Sequence, residues 1–108
     1  MKHRMNDVPS PVSEALILVC EKCGKKLVSG DAENPSKTLQ MSMKEKIKED
    51  HGKGVYRAVI TSCMDICPKD EIAVAILRQN GSNEFMTVTG DTTSLRDEIL
   101  ARAKKTSD

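Results

Sequence analysis

The chain is 108 residues long, with 17 Lys and Arg against 16 Asp and Glu and a formal net charge of +1 with neutral histidines. That length suits one ordinary domain. The balanced charge excludes the electrostatic footprint of a general nucleic-acid binder, and no apolar run approaches the roughly eighteen residues of a membrane span.

Four cysteines occur beside one Tyr, one Phe and no Trp, so aliphatic side chains must supply nearly all of the core. Hydrophobic residues make up 38% of the chain, a thin supply that leaves room for a metal or a covalent link to contribute stability. The longest apolar run, Ala15 to Cys20, has no small-residue cleavage site behind it, and Glu21, Lys22, Lys25 and Lys26 follow at once. It reads as too short for a secretory signal, and a cytoplasmic location is expected. In a reducing compartment, four cysteines point to metal or redox chemistry rather than structural disulfides.

Residues 1–13 carry polar breakers and no periodicity, and read as a flexible tail before a domain spanning residues 14–108. His3, in that tail, reads as solvated. Glu14 to Cys20 predicts a strand that is apolar on both faces, the pattern of a central strand covered on two sides. Glu21 to Ser36 is polar, holds Gly24, Gly30 and Pro35, and predicts a long loop. Lys37 to His51 predicts a helix, with Leu39, Met43 and Ile47 recurring every four residues and Gly52 and Gly54 ending it.

Val55 to Ser62 predicts a second strand, followed by a short cysteine-bearing loop over Cys63 to Lys69. Glu71 to Arg78 predicts a third, apolar at both parities. Asn80-Gly81 is a type I′ hairpin signal leading to a fourth strand, Asn83 to Thr89. A last helix runs from Ser94 to Lys104, with Ser94 and Asp97 as a weak capping box and Leu95, Ile99, Leu100 and Ala103 as its buried stripe. The order is β-α-β-β-β-α. A right-handed crossover makes the first two strands parallel, and the hairpin adds antiparallel partners. The expected architecture is α/β and thioredoxin-like: a four-stranded mixed sheet with two packed helices, their need for apolar sheet accounting for strands apolar at both parities.

The cysteines fall in two pairs, Cys20-x2-Cys23 at the end of the first strand and Cys63-x3-Cys67 at the end of the second. Parallel neighbouring strands end at one edge of a sheet, the edge where open α/β folds bind ligands. The two pairs are therefore expected to point into one region. Thiolates, not thiols, bind iron or zinc, and two separated pairs supply the two ligands that each iron of a two-iron cluster requires.

The segment TSCMDICP (Thr61 to Pro68), followed by EIAVAI and an Asn-Gly hairpin, resembles the second half of the thioredoxin-like 2Fe-2S ferredoxins. ILVC at the end of the first strand resembles their first ligand position, and the likeness covers roughly residues 14–105. The first pair is spaced more closely than is usual there. The resemblance implies that Cys20 and Cys23 hold one iron and Cys63 and Cys67 the other. It implies an electron carrier with a reductase or acceptor protein as partner, often a homodimer, and no catalysis of its own; the charge and apolar-run length add the expectation of no membrane or nucleic-acid partner.

Two other readings use the same residues. Cys20, Cys23, Cys63 and Cys67 could close a structural four-thiolate zinc site. Alternatively, Cys20 and Cys23 could form a thiol–disulfide pair, with Pro68 standing where thioredoxins carry a proline. In that reading the first cysteine should cap a helix, which lowers its pKa, whereas the predicted loop keeps the pair about a dozen residues from one. His51, near a helix end, suits the dipole better than a metal, and Met41 and Met43 read as packing. Lys25, Lys26, Lys53 and Arg57 form a candidate docking patch, with scattered surface lysines as the plainer account.

Overall fold

A computed structural model describes residues 5–9, 12–28, 33–50, 54–62, 66, 70–79 and 81–104. The elements are β1 (Ala15–Cys20), α1 (Glu21–Leu27), α2 (Pro35–Asp50), β2 (Tyr56–Thr61), β3 (Ile72–Arg78), β4 (Asn83–Val88) and α3 (Thr92–Lys104). The sheet order is β2-β1-β3-β4, with β1 parallel to β2 and the other pairs antiparallel. This four-stranded mixed sheet is the expected one and is compatible with a thioredoxin-like α/β fold. Among the described residues it carries three helices rather than two.

Register explains how the sheet is dressed. Ile17 lies beside Ala58 and Ile76, and Val19 beside Ile60 and Val74, so these side chains share a face. Leu39, Met43 and Ile47 of α2 and Ile99, Leu100 and Ala103 of α3 complete the core with them. α2 also packs on α3, so both helices cover the same face. The reading of β1 as covered on two sides is therefore corrected. Leu16, Leu18, Val59 and Leu77 share the other face and are only half-buried, and Phe85 there is 62% exposed. α2 and α3 both pack on the opposite face and leave that side uncovered.

Local chemistry sets the helix ends. Asn34 caps α2 with Pro35 at its first position, a pairing suited to proline's missing N–H. Asn34 Oδ1 accepts the Ser36 N–H at 2.9 Å, and the Asn34 carbonyl accepts the Thr38 N–H at 3.1 Å. Pro35 thus opens the helix rather than breaking the chain ahead of it. At α3 the cap is Asp91, whose carboxylate accepts the Ser94 N–H at 3.0 Å. Ser94 lies inside the helix, which corrects the Ser94–Asp97 box. The hairpin closes through the Gly81 N–H to Arg78 O at 3.0 Å, with Gly81 at φ +89. Asn80, the other half of that turn signal, lies outside the described residues, as do His3, His51 and Lys53.

Arg78 ties the hairpin to α3. Its guanidinium is nearly buried, pairs with Glu84, and donates to Ser82 O at 3.0 Å and Arg102 O at 2.6 Å. No helix of the described residues is long and apolar enough to cross a membrane.

Candidate functional site

β1 delivers Cys20 to the sheet edge, and Cys20 is also the N-cap of α1. The predicted loop over residues 21–36 is thus corrected: its first seven residues are helical. Glu21 in the first turn and Lys25 and Lys26 in the last complement the helix dipole. Gly24, which reads as a breaker, is instead a packing position. An added Cβ there would overlap Asn34 Oδ1 and Ser36 Oγ and approach Ser36 Cβ to 2.7 Å.

Two hydrogen bonds clamp this turn to the start of α2, and a third braces the residues that make them. Ser36, fully buried, donates its hydroxyl to Cys20 O at 2.6 Å. Asn34 Nδ2 donates to Glu21 O at 3.1 Å, while Asn34 Oδ1 is held by the Ser36 N–H. The backbone that carries both cysteines is therefore fixed by two side chains that the cysteine motif does not contain. The Asn34-Pro35 pair is a legible helix start, but nothing in the sequence links it to Cys20.

Cys20 is inaccessible and Cys23 is 5% exposed; neither forms a disulfide. Burial pushes the Cys23 thiol pKa up. The Ala73 N–H hydrogen-bonded to its sulfur opposes that shift, the adjacent Cys20 thiol adds to it, and the charge of Lys26 lowers it. The Cys23 thiol also lies 4.0 Å from Ile66 O. Ile66 falls between Cys63 and Cys67 in sequence.

Cys63, Cys67 and Pro68 lie outside the described residues. What the described residues fix is their surroundings. Cys20 is in register with Thr61 across the parallel ladder, two residues before Cys63. The strand order puts the tips of β1 and β2 side by side, as the cysteine reading requires. Among the described residues no group of three or more His, Cys, Asp and Glu comes together.

The thiols present suit a soft metal. Two adjacent sulfurs sit away from solvent, one already accepts a backbone N–H, and a cation would supply the charge needed to deprotonate a thiol that burial keeps neutral. The objection to a thiol–disulfide pair, that no helix begins near Cys20, is removed by α1. No known family model, curated protein or solved structure matches the chain.

Proposed function

We propose that the chain is a non-catalytic electron carrier in which Cys20, Cys23, Cys63 and Cys67 hold a 2Fe-2S cluster. The observation that carries this reading is the parallel register of Cys20 with Thr61. It brings the segment before Cys63 beside the first pair, and the contact of Cys23 with Ile66 O supports the same juxtaposition. The cluster would supply one-electron chemistry. Ser36 and Asn34 would hold the Cys20–Cys23 turn, burial would keep water from the first two ligands, and the Ala73 N–H would stabilise negative charge on the Cys23 sulfur. The carrier needs a reductase or an acceptor protein.

The position of Cys20 at the head of α1 favours a second reading, thiol–disulfide exchange. Burial of both sulfurs and the upward push on Cys23 count against it, because exchange needs an accessible thiolate. A structural zinc site would use the same four ligands.

Anaerobic purification separates the three. The cluster reading expects a red-brown protein with about two irons per chain and visible absorption that bleaches on reduction. Cys67→Ser should abolish or alter that spectrum. A colourless protein with one zinc selects the structural site, and a metal-free protein with a reversible Cys20–Cys23 disulfide selects exchange. An unchanged iron spectrum in Cys67→Ser refutes the ligand set.

A further inference from the structure

α1 has two unlike sides. Cys23 and Gly24 are buried, whereas Lys22, Lys25 and Lys26 are exposed. The lysines stand at i, i+3 and i+4, so they share one face of the helix. The helix has a single carboxylate, Glu21, and it pairs with Lys37 of α2 at 3.7 Å. None of the three lysines lies within 4 Å of a carboxylate among the described residues.

Local stability accounts for only part of this. Lys25 and Lys26 favour the C-terminal end of the helix dipole, but Lys22 in the first turn opposes it, and Lys22 repels Lys26 four residues on. The exposed face of α2 is different: Lys44, Lys46 and Lys48 alternate with Glu45, Glu49 and Asp50, and Lys46 pairs with Asp50 at 3.7 Å. The unneutralised cationic face thus belongs to the helix that bears Cys23, and its nearest member, Lys26, stands three positions from Cys23 and so beside it on the helix surface.

We propose that Lys22, Lys25 and Lys26 form the docking face for a carboxylate-rich protein surface, that of the redox partner. The partner's role rests on the electron-carrier reading; the charge complementarity does not. A nucleic acid fits less well, because the chain has no Trp, its one Tyr is buried, and its one Phe, Phe85, is on the edge strand β4, which β3 separates from the strand that leads into α1.

The test uses the full chain and fluorescein-labelled octaglutamate, with binding read by anisotropy. Binding at low salt should vanish near about 1 M salt, where the Debye length is about 3 Å. The triple variant Lys22→Glu, Lys25→Glu, Lys26→Glu should lose about tenfold or more in affinity. A control that makes the same change in net charge, Lys44→Glu, Lys48→Glu, Lys104→Glu, should stay within about twofold. The neutral triple variant to Gln should also weaken binding, which keeps the test decisive if the charge-reversed chain fails to fold. Equal losses in the two Glu triples would overturn the proposal, as would no binding at low salt. Tighter binding of a labelled single-stranded octanucleotide would overturn it in favour of a nucleic-acid surface. Iron content is measured on the same samples: a chain without iron that still needs the α1 lysines sinks the cluster and keeps the docking face, and an iron-loaded chain indifferent to them does the reverse.

Discussion

Gly24→Ala tests the packing of the cysteine turn by the sign of its effect. In a helix, replacing Gly by Ala gains about 1 kcal/mol from propensity alone. The clamp predicts the opposite. An added Cβ would overlap Asn34 Oδ1 and Ser36 Oγ and sit 2.7 Å from Ser36 Cβ. Neither polar atom can yield cheaply, because Ser36 is fully buried and hydrogen-bonded to Cys20 O while Asn34 is bonded to both Glu21 O and the Ser36 N–H. Overpacking costs about 1–3 kcal/mol, and losing the two side-chain bonds costs roughly 1 kcal/mol each. After subtracting the propensity gain, the variant should be destabilised by about 2–4 kcal/mol. Urea unfolding followed by far-UV circular dichroism measures this as a lower midpoint at unchanged m. The double variant with Ser36→Ala should cost less than the sum of the singles, since the hydroxyl that clashes is gone. A Gly24→Ala protein about 1 kcal/mol more stable than the parent would refute the close approach of α1 to the start of α2.

Other expectations follow from the same packing. Ser36→Ala removes a buried donor from Cys20 O and should cost about 1–3 kcal/mol by the same unfolding assay. Met43→Ala should cost about 2–5 kcal/mol, because Met43 is inaccessible. Met41→Ala should stay within about 0.5 kcal/mol, because Met41 is 49% exposed. Burial raises the pKa of Tyr56, Glu14 adds to the shift and Arg78 opposes it. Its folded pKa lies above the unfolded value, so its contribution is intact below about pH 10 and is lost as pH rises through the folded pKa. Tyr56 is the chain's only Tyr, and there is no Trp, so phenolate absorbance reports it alone. The midpoint should fall towards about 10 in denaturant, and identical folded and denatured titrations would contradict its burial.

Legibility differed by the range of the forces involved. The strands were readable because Ala15 to Cys20 and Ile72 to Leu77 are apolar runs that admit little else, and the Asn80-Gly81 turn made β3 and β4 antiparallel neighbours. α2 was readable from Leu39, Met43 and Ile47, since burial enforces their period. The side of the sheet on which a helix lies has no such local mark. Apolar residues at both parities looked like two covered faces, but Leu16 and Leu18 face a side that α2 and α3 leave uncovered among the described residues, while Ala73 and Ala75 on that face are small enough to be buried by their neighbours.

α1 was missed for a deeper reason, and it bears on the site. Glu21 to Leu27 is too short to be helical by itself, since nucleation is costly, and its Gly24 lowers propensity further. Its helical state is explained by partners 16 and 13 positions away in the chain: Ser36 on the Cys20 carbonyl and Asn34 on the Glu21 carbonyl. Glycine is what lets those partners approach, so the residue that argued against a helix is the one that permits its docking. The spacing of Cys20 and Cys23 suggested from the motif alone that the two sulfurs act together, but the helix that begins at Cys20 and carries Cys23 left no such mark. It follows that removing the clamp should disturb the cysteine pair without touching a sulfur. Under the proposed cluster reading, Ser36→Ala should therefore lower metal retention relative to Met43→Ala variants of equal stability. Equal retention in the two would mean that Ser36 supports the fold and nothing more.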